Sequence, residues 1–480
     1  MEQDIISELR KIVGNEYVIT EVSVIIGYHC TSDRAPATLM DHTGKPMGPD
    51  DLAKAIVRPS NVNEVSRIAK LLNGRRIPIR VQSAGTGIHG GSTPQKGEVI
   101  LDLSRMNWIR VNEEEGYVEF GPAVKPLKAN EVLNPLGYWF PVYPTTPRVA
   151  SVGGIISINT SGHSVDSLLG KPGDYVLGLQ VVLSTGEIIE TGTKTLRRPA
   201  GPDFTRFFIG TEGLFGIITN VYYRLVRRPT EQIGALVIFP SIPEVTKTAQ
   251  RVLQERVPYP FYFEFMDETF TKQSYNKEGI ISAEGTSLLI AVGGDAPKEA
   301  EWKLERILDI CKQEGAIEIH IIDGTEEWDK ISGIRQTTQR TIKRMVYAGA
   351  IDPPLSKITE VYMKASRLKD KVKTIEKVDY YAIGHLGGPS LHPCFPIPTG
   401  LDDSTRWKLI EELRDLTIDF ALENKSSWGE QGMFPHQTRF WIKRYGIESY
   451  KLLKRLKKTF DPNNILNRGN LIEIEKASKS

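Results

Sequence analysis

The sequence predicts an α+β protein of two domains, and three observations support this prediction. With 480 residues, the chain is too long to form a single hydrophobic core. Residues 56–229 alternate short runs rich in valine and isoleucine with glycine-containing turns, a pattern typical of an α+β domain. From residue 233, the predicted order is strand–helix–strand–strand–helix–strand, which indicates a ferredoxin-like layer of helices on an antiparallel sheet.

The individual segments follow this plan in chain order. Residues 1–14 predict an amphipathic helix, and EVSRIAKLL predicts a helix within the first domain. The first domain's strands are IPIRVQ, GEVILDL, GYVEFG, LGLQVVLSTGEII and FGIITNVYYRLV. RRPTEQ at 227–232 is typical of a linker. Beyond it come the strand IGALVIFP, the helix VTKTAQRVLQE, the strand SLLIAVGGD, the helix EAEWKLERILDICKQEG, the strand AIEIHIID and a long helix at 406–425.

The composition excludes several classes of protein. The formal charge is +2, from 61 basic and 59 acidic residues, so neither nucleic acid nor an anionic membrane is expected as the main partner. The longest apolar runs are the size of strands, well short of a membrane span. Three cysteines without a CxxC motif exclude a disulfide framework and an iron–sulfur cluster held by this chain. We expect a soluble cytoplasmic enzyme.

The most informative motif is the glycine-rich segment VQSAGTGIHGGSTP at 81–94, between two predicted strands. Its glycines allow positive φ angles and a close approach of the backbone to a ligand. Successive amide N–H groups in such a turn can hold a pyrophosphate, although a simple turn between strands explains the pattern equally well. No helix starts at the last glycine, so the segment is not a dinucleotide-binding fingerprint of the Rossmann type.

Two further small-residue segments, SVGGIISINTSG at 151–162 and FIGTEGLFGIIT at 208–219, complete a set of three. In order and spacing the set resembles the FAD-linked oxidase family, which includes D-lactate dehydrogenase and the catalytic subunit of glycolate oxidase and has the vanillyl-alcohol-oxidase (PCMH-type) fold. The family patterns are approximately PRGGGTGLSGG, IGGNIATNAGG and GSEGTLGIIT. The chain's ending FDPNNILNRGN is also similar to a family ending, so the resemblance covers nearly the whole chain.

The resemblance implies a PCMH-type FAD-binding domain at 1–229, a ferredoxin-like cap domain at 230–429, and a segment at 430–480 that returns to the FAD domain. It implies non-covalent FAD, because Thr86 stands where some relatives attach the flavin through a histidine; His89 is then a loop residue near the phosphates. The implied FAD-binding residues are Gly85, Thr86, Gly87, His89, Gly90, Gly91, Ser151, Gly153, Gly154, Asn159, Gly162, Glu212, Gly213, Gly216 and Ile218.

A second group of residues suggests a metal site. GHLGGPSLH at 384–392 places His385 and His392 around a turn, and WGEQG supplies Glu430. Two imidazoles and one carboxylate suit Zn, Mn or Fe(II), although histidine pairs often serve only in hydrogen bonding. The D-2-hydroxyacid dehydrogenases of the family have GHxGDGNxH followed by GEHG, and their metal ligands match His385, His392 and Glu430.

The chain departs from the family pattern at residues that matter for catalysis. Gly388, Pro389 and Ser390 replace Asp-Gly-Asn, and Gln431 replaces the histidine that is the family's expected general base. An amide cannot accept the proton, so His436 is the nearest candidate for this role. The resemblance also assigns Arg335 as a clamp for the substrate carboxylate, although a surface helix would equally explain an arginine there.

The expected function is oxidation of a small 2-hydroxy acid, similar to D-lactate or glycolate, by an FAD-linked oxidoreductase acting on CH–OH donors. Electrons would pass to a quinone or to a partner protein, either an electron-transfer flavoprotein or an iron–sulfur subunit, through which the enzyme could associate with a membrane. The alternatives are oxidation of an aromatic or sugar alcohol without a metal, and an electron-transfer subunit without a substrate. The oligomeric state stays open, a homodimer being one candidate.

Overall fold

The computed structural model divides the chain into two compact units. Unit 1 comprises Met1–Thr160, Pro172–Val226 and Gln431–Ser480, and unit 2 comprises Ser161–Lys171 and Arg227–Glu430. The side chains of 336–341 and 345–347 are not described. The residues that the structure describes are 2–29, 48, 51–87, 90–141, 144, 146–162, 169–197, 201–255, 257–341, 345–428 and 438–472.

The first sheet of unit 1 has four strands in the order β1-β2-β4-β3. Strands β2, β4 and β3 run parallel, and β1 is antiparallel to β2. Helices α1 and α3 bury their apolar faces against this sheet. The elements are α1 (Glu2–Val13), β1 (Val18–Ile19), α2 (Val22–Tyr28), β2 (Ala55–Val57), α3 (Val62–Gly74), β3 (Ile79–Gln82) and β4 (Val99–Asp102).

Helix α3 shows how the sequence determines the local structure. Its N-cap Asn61 accepts a hydrogen bond from the backbone of Glu64, whose carboxylate accepts one from the backbone of Ser60. This reciprocal capping satisfies N–H groups that the first turn leaves without partners. The buried apolar residues follow helical spacing and face the parallel sheet; they are Val65, Ile68, Ala69 and Leu72.

The second sheet of unit 1 is antiparallel, with five strands in the order β5-β6-β10-β8-β9. The last helix bends at Gly446, which has non-helical backbone angles. The remaining elements up to the linker, and the last helix, are β5 (Ile109–Asn112), β6 (Tyr117–Phe120), α4 (Pro126–Leu133), β7 (Tyr138–Trp139), α5 (Val152–Ile158), β8 (Val176–Val182), β9 (Ile188–Gly192), α6 (Phe204–Phe208), β10 (Ile217–Arg224), β11 (Val226–Arg227) and α13 (Thr438–Phe460).

Unit 2 contains a seven-stranded sheet in the order β15-β12-β14-β13-β17-β18-β16, whose pairs are antiparallel. Its first four strands and two helices follow the predicted strand–helix–strand–strand–helix–strand order. Three later strands extend this sheet, which was not predicted. The strands are β12 (Glu231–Phe239), β13 (Tyr262–Met266), β14 (Thr286–Gly294), β15 (Glu318–Asp323), β16 (Met345–Tyr347), β17 (Tyr381–His385) and β18 (Ser390–Pro396).

Four helices cover one face of this sheet, α7, α9, α11 and α12, and form the main core of unit 2 with it. Phe263 and Phe265 of β13 point into this core. Because side chains alternate along a strand, Glu264 between them points to the opposite face. The helices of unit 2 are α7 (Ile242–Gln254), α8 (Glu268–Thr271), α9 (Pro297–Gln313), α10 (Thr325–Thr341), α11 (Ile358–Ala365) and α12 (Asp403–Glu423).

A helix needs about 20 predominantly apolar residues to cross the hydrocarbon core of a bilayer. Within the part of the chain that the structure describes, no helix combines that length with sufficient apolar character.

Candidate functional site

The predicted phosphate-binding segment, residues 81–94, begins at the end of β3 and lies mostly in the loop 83–98 that joins β3 to β4 in the parallel sheet of unit 1. Gly85 and Gly90 have φ angles of +64° and +79°, which residues with a Cβ rarely adopt. A Cβ on Gly85 would also lie 2.7 Å from Nε2 of Gln82. The loop therefore requires glycine, and its backbone can approach a ligand closely.

Of the predicted FAD-binding residues in this loop, the structure describes Thr86 and does not describe His89. Thr86 is exposed and follows Gly85 directly. Ile88 and His89 lie outside the described residues, so the role predicted for His89 stays a prediction. Non-covalent binding of FAD stays a prediction from the sequence, in which Thr86 lacks the nucleophilic ring nitrogen of a histidine.

The carbonyl oxygen of Pro122 connects the first and second loops. It accepts hydrogen bonds from Oγ of Ser83 at 2.9 Å and from the backbone N–H of Gly153 at 2.8 Å. A Cβ on Gly153 would lie 2.6 Å from Cβ of Pro122, so only glycine fits there. The Cβ position of Gly154 lies 3.3 Å from Oγ of Ser151, which is closer than ordinary van der Waals contact.

The second loop is built around helix α5. Asn159 ends this helix with φ of +52°, and its side-chain oxygen accepts a hydrogen bond from the backbone N–H of Gly173 at 3.1 Å. This contact gives Asn159 a structural role in shaping the turn. Gly162 is buried, and residues 163–168 after it lie outside the described part of the chain.

The third loop, residues 208–219, contacts both others. The backbone N–H of Glu212 donates to the carbonyl of Ser157 at 2.9 Å, and Oε2 of Glu212 lies 3.0 Å from the Cβ position of Gly91. Glu212 and Gly213 have φ angles of +54° and +73°. The three loops are thus held together within unit 1, as a single composite binding surface requires.

Two predicted residues of the third loop pack within the protein. Gly216 lies against Cγ1 of Val181 and 3.3 Å from a ring carbon of Phe208, measured from its Cβ position. Ile218 is buried in strand β10. The structure therefore explains both residues by packing of the strand that follows the loop.

The C-terminal tail fastens the first and third loops. Asn470 donates its amide N–H to the carbonyl of Gly91 at 2.9 Å, and Asn467 donates to the carbonyl of Glu212 at 2.6 Å. The side-chain oxygen of Asn467 accepts the backbone N–H of Val81 at 2.8 Å. The ending FDPNNILNRGN thus has a direct role in positioning both loops.

Arg80 lies at the centre of this arrangement. It is fully buried and pairs with Glu98 at 2.9 Å. Its Nη1 donates to the carbonyl of Gly91 and to Oδ1 of Asn470, both at 2.9 Å, and its Nη2 donates to the carbonyl of Arg468 at 2.7 Å. One guanidinium therefore links the sheet, the first loop and the tail through the fork geometry of its donors.

Three buried hydroxyls fit a phosphate-containing cofactor. Oγ of Ser92, Oγ1 of Thr93 and Oγ of Ser151 have no hydrogen-bond partner among the described residues. A buried hydroxyl without a partner costs about 1–3 kcal/mol. All three belong to the first and second loops, and phosphate oxygens would accept their hydrogen bonds. The donors and the glycine backbone therefore suit the pyrophosphate of FAD.

A glycine substitution tests this loop. We expect Gly85→Ala to weaken FAD binding by about tenfold or more, because it adds crowding against Gln82 to the strain of a positive φ. Gly97→Ala is the matched control: Gly97 has φ of +74° in the same loop, but its Cβ position is open except for Cε of Lys54 at 3.6 Å. Titration of each apoprotein with FAD measures the difference, and equal loss in both variants would contradict the prediction.

In unit 2, the two predicted metal-binding histidines lie on the sheet face opposite the helical core. Strand β17 ends at His385, which is paired in register with Glu264 of β13, and Ile383 of β17 is paired with His392 of β18. Paired residues on neighbouring strands point to the same face. The hairpin β17–β18 thus brings the two histidines together, with ring centroids 4.8 Å apart and planes at 79°.

Glu264 joins His385 to Arg335 of helix α10. Its Oε1 lies 2.8 Å from Nδ1 of His385, and its Oε2 lies 2.7 Å from Nε of Arg335. All three side chains are 5% exposed or less. Burial is the largest influence and acts to lower the pKa of Arg335, but the charge of Glu264 together with nearby Tyr262, Tyr275 and Cys394 outweighs it, and the pKa is raised. Arg335 therefore remains a cation beside the histidines.

Arg335, the residue predicted to bind the substrate carboxylate, already contacts a carboxylate of the protein. Its Nε faces Glu264, and the opposite charges of the two side chains cancel. The guanidinium has two further nitrogens, which can donate to a second carboxylate. The assignment of Arg335 as a substrate clamp stays a proposal.

A second carboxylate, that of Asp352, is linked to His392 through the hydroxyl of Ser390. Oγ of Ser390 donates to Oδ1 of Asp352 at 2.7 Å and lies 3.3 Å from Nε2 of His392. Oδ2 of Asp352 accepts a hydrogen bond from Oγ of Ser427 at 3.0 Å, and the backbones of Asp352 and Ser427 also pair. Asp352 thus ties the chain just before residue 429 to the strand that carries His392.

Glu430, Gln431 and His436 lie outside the described residues, which resume at Thr438 after a gap at 429–437. Among the residues that the structure does describe, no three imidazole, thiol or carboxylate groups form a metal site by themselves. An ion shared by the two histidines stays a proposal, with which their ring separation is compatible. Imidazoles bound to one ion at about 2.0–2.1 Å have centroids roughly 5 Å apart, close to the separation given above.

Asp267 connects the strand of Glu264 to the strand of His385. Its Oδ1 accepts the N–H of Phe270 at 2.9 Å, and its Oδ2 accepts the N–H of Ala382 at 2.6 Å. Burial raises its pKa to about 7, although both N–H donors act to lower it. The folded state therefore holds this proton more tightly than the unfolded chain does.

This raised pKa predicts a pH effect on stability. The stabilisation that protonated Asp267 contributes to the folded state is fully present below the ordinary carboxyl pKa, and it is lost as pH rises to about 7. We expect the stability of wild type relative to Asp267→Asn to fall by roughly 3 kcal/mol from pH about 4 to about 7. Asp402→Asn is the control, because Thr405 lowers the pKa of that exposed capping carboxylate and the slope has the opposite sign. Urea denaturation across pH measures both, and a flat difference for Asp267→Asn would contradict the prediction.

Sequence analysis missed the residues that hold the site in place. Arg80 and Glu264 are single charges within otherwise apolar strands, IPIRVQ and FYFEFM, and that interruption was the available signal. Asp352 belongs to none of the motifs found in the sequence, and Ser390 was identified only as a departure from the family pattern.

The comparisons with known proteins agree with this geometry. Residues 53–192 match a family model described as an FAD binding domain, and residues 228–471 match one described as FAD linked oxidases, C-terminal domain. The glycolate oxidase subunit GlcD of Bacillus subtilis (strain 168) is 28% identical over 428 residues, covering 87% of this chain and 88% of that protein. A D-lactate dehydrogenase of Archaeoglobus fulgidus is 27% identical over 422 residues, covering 87% and 91%.

Solved structures support the fold. p-Cresol methylhydroxylase with substrate bound has a TM-score of 0.80 at 18% identity, covering 99% of this chain and 97% of that chain. 4-Ethylphenol oxidase from Gulosibacter chungangensis has a TM-score of 0.76 at 20% identity, covering 98% and 96%. The matches confirm the predicted PCMH-type α+β fold and the predicted FAD-linked oxidoreductase. With both halves of its sequence matched, the chain belongs to the family of FAD-linked oxidases.

Proposed function

We propose that this protein oxidises the CH–OH group of a 2-hydroxy acid, with FAD held by unit 1 and a divalent cation held by unit 2. The observation that carries the proposal is the buried group of His385, His392, Glu264 and Arg335 on one face of the seven-stranded sheet. The names of two relatives, a glycolate oxidase subunit and a D-lactate dehydrogenase, support the substrate class.

Each unit would contribute a distinct part. In unit 1, the backbone of the first loop and the hydroxyls of Ser92, Thr93 and Ser151 would bind the FAD phosphates. In unit 2, His385, His392 and Glu430 would hold Zn, Mn or Fe(II). When bound, FAD would accept the hydride from the substrate carbon, and the cation would polarise the substrate hydroxyl.

The chain's own residues would bind and orient the substrate. The other two guanidinium nitrogens of Arg335 would bind the substrate carboxylate, which would fix the position of the hydroxyl-bearing carbon. His436 would accept the hydroxyl proton, because Gln431 has no basic atom. Glu264 would keep Arg335 and His385 in place.

We also propose that the electrons leave the flavin through a partner protein or a quinone. GlcD is named as a subunit, and the name of a D-lactate dehydrogenase of Arabidopsis thaliana includes the word cytochrome. The acceptor would be an electron-transfer flavoprotein, an iron–sulfur subunit or a quinone, and a homodimer is a further candidate assembly.

One observation favours a second candidate function, oxidation of an alcohol without a carboxylate. The charge of Arg335 is already balanced by Glu264, and Gln431 replaces the family's histidine. A substrate without a carboxylate would need neither an unpaired arginine nor a bound cation. An aromatic or sugar alcohol would then be the substrate.

Dye-linked turnover with a matched panel tests the proposal. The panel contains D- and L-2-hydroxy acids, and for each acid the corresponding alcohol without its carboxylate. The proposal expects turnover with acids of one configuration, loss of turnover after chelation, and one divalent ion per chain by elemental analysis. Turnover of the alcohols alone, without a metal, would establish the second candidate instead.

A further inference from the structure

We propose that the outer face of helix α13 binds an anionic membrane surface and so brings the enzyme to a quinone dissolved in that membrane. This outer face consists of Ile447, Lys451, Lys454, Arg455 and Lys458. It belongs entirely to unit 1. The quinone rests on the proposed function: oxidation of the alcohol to a carbonyl releases two electrons and two protons, which together reduce a quinone to a hydroquinone.

Helix α13 carries a concentration of positive charge that the balanced composition of the whole chain does not reveal. Eight of the 61 basic residues, but only one of the 59 acidic residues, lie within its 23 residues. The helix therefore has a formal charge of +7, whereas the rest of the chain has −5. Seven of the eight basic residues are exposed. The overall charge of +2 thus gives no measure of this surface.

The eighth basic residue, Lys457, fixes the inner face of the helix to unit 1. It is buried and pairs with Asp461 at 2.7 Å. Its Nζ also donates to the backbone carbonyls of Leu214 at 2.8 Å and Leu466 at 2.7 Å. The ring of Phe460 packs beside it against aromatic rings of α6 and the third loop. The inner face is therefore anchored, and the outer face has a fixed orientation.

The bases of the outer face follow helical spacing. Lys451, Arg455 and Lys458 are four and three residues apart, and Lys454 lies beside them. Like charges at these spacings destabilise a helix, and the single acid, Glu448, contacts only Lys451, at 2.7 Å. The helix dipole favours bases in the last turn, whereas Lys451 and Arg455 precede it. Helix stability does not explain this stripe, but attraction to an anionic surface does.

Exposed apolar side chains lie next to these bases, where the helix bends. Gly446 interrupts the helix with φ of +82° and ψ of 161°, and Tyr445 and Ile447 on either side of it are about half exposed. Leu452 is exposed to a similar extent. The ring of Tyr445 packs on Trp441, with centroids 4.6 Å apart. Bases beside exposed aromatic and aliphatic side chains are typical of helices at a membrane–water interface, where the ammonium groups stay among the headgroups.

The composition of this surface favours a membrane over an acidic protein as the partner. Protein interfaces are depleted in lysine, yet four of the seven exposed bases of the helix are lysines. A lysine ammonium group is a compact charge on a flexible stem, so it needs no partner of fixed geometry. Clusters of about four to eight bases on an amphipathic helix are typical of binding to anionic lipids.

Cosedimentation of the holoprotein with sucrose-loaded vesicles tests the proposal. Vesicles of phosphatidylcholine alone are compared with vesicles of phosphatidylcholine and phosphatidylglycerol in equal amounts. We expect binding to the anionic vesicles only, and release at about 1 M salt, where the Debye length falls to about 3 Å. Failure to bind the anionic vesicles, or equal binding to both kinds of vesicle, would overturn the proposal.

A triple variant removes the central charges of the outer face: Lys451→Gln, Arg455→Gln and Lys458→Gln. A base near an anionic surface contributes roughly fivefold to affinity, so we expect binding to the anionic vesicles to weaken by about 100-fold. The variant should be no less stable to urea than wild type, because it loses pairs of like charges. Binding within about fivefold of wild type would overturn the proposal.

The matched control removes the same number of exposed charges from unit 2. It carries Lys369→Gln, Lys371→Gln and Lys373→Gln. We expect this control to bind the anionic vesicles as wild type does, because its net charge changes while the outer face of α13 does not. Equal losses in the two triple variants would show that net charge alone determines binding, which would overturn the proposal.

Turnover with two acceptors separates this proposal from the proposed function. The triple variant of α13 should retain turnover of the 2-hydroxy acid with a water-soluble dye and lose turnover with a long-chain quinone held in the anionic vesicles. Wild type that binds these vesicles but oxidises no 2-hydroxy acid would refute the proposed function and leave the membrane surface established. Dye-linked turnover without vesicle binding would refute the membrane surface, leave the function intact and indicate a protein as the acceptor.

Discussion

His385→Ala is expected to lower kcat for the 2-hydroxy acid by about 10³-fold. Loss of a cation that polarises the substrate hydroxyl removes several kcal/mol of transition-state stabilisation, and each 1.36 kcal/mol corresponds to a factor of about ten. The substitution also leaves Glu264 and Arg335 without the ring that completes their buried group. The effect on catalysis therefore combines loss of a ligand with loss of orientation.

The measurement is the rate of flavin reduction in a stopped-flow experiment, with the metal and FAD content of each sample determined first. FAD content should equal that of wild type, because the first loop and the three hydroxyls proposed to bind the FAD phosphates belong to unit 1. His320→Ala is the control: His320 lies on β15 of the same sheet and pairs with the exposed Glu327 at 2.9 Å. A His385→Ala rate within about threefold of wild type would show that this histidine takes no part in the reaction.

Arg80→Ala is expected to destabilise unit 1 by about 3–5 kcal/mol and to release FAD. The substitution leaves Glu98 as an uncompensated buried charge, which is the costly way to break a buried ion pair. It also removes the donors that hold Gly91, Arg468 and Asn470. The first loop and the tail then lose their common anchor, so FAD affinity should fall together with stability.

Urea denaturation and the flavin content of the purified protein measure the two effects. The double variant Arg80→Leu with Glu98→Leu should recover stability relative to Arg80→Ala, because no unpaired charge remains. Arg110→Ala is the control for an exposed pair: Arg110 contacts Glu119 at 3.4 Å and is 68% exposed, so its loss should cost less than about 1 kcal/mol. Similar losses for Arg80→Ala and Arg110→Ala would contradict the role assigned to Arg80.

Much of the fold could be predicted because its signals are local. The helix and strand periods of unit 2 predicted the ferredoxin-like order from β12 to β15, and each segment carries that pattern independently. The extension by β16, β17 and β18 was not predicted, because sheet membership depends on pairing between distant segments. Strand β13, for example, pairs with β17 more than a hundred residues later.

The sequence predicted residues of the candidate site only where those residues belong to a recognisable motif. The glycine segments and the pair His385 and His392 are close in sequence and resemble family patterns. Glu264 lies 121 residues before His385, and a single glutamate in a strand predicts no partner. Likewise, Asp352 reaches Ser390 and Ser427 only because the strands fold back on each other. Such contacts are products of the tertiary structure.

The most direct test of the central claim is an anaerobic visible spectrum of the purified holoprotein, recorded before and after addition of single D- and L-2-hydroxy acids. The account predicts a flavin spectrum that one configuration of acid bleaches rapidly, with no bleaching after the metal is removed. A flavin that no 2-hydroxy acid reduces, while an alcohol without a carboxylate does, would contradict it.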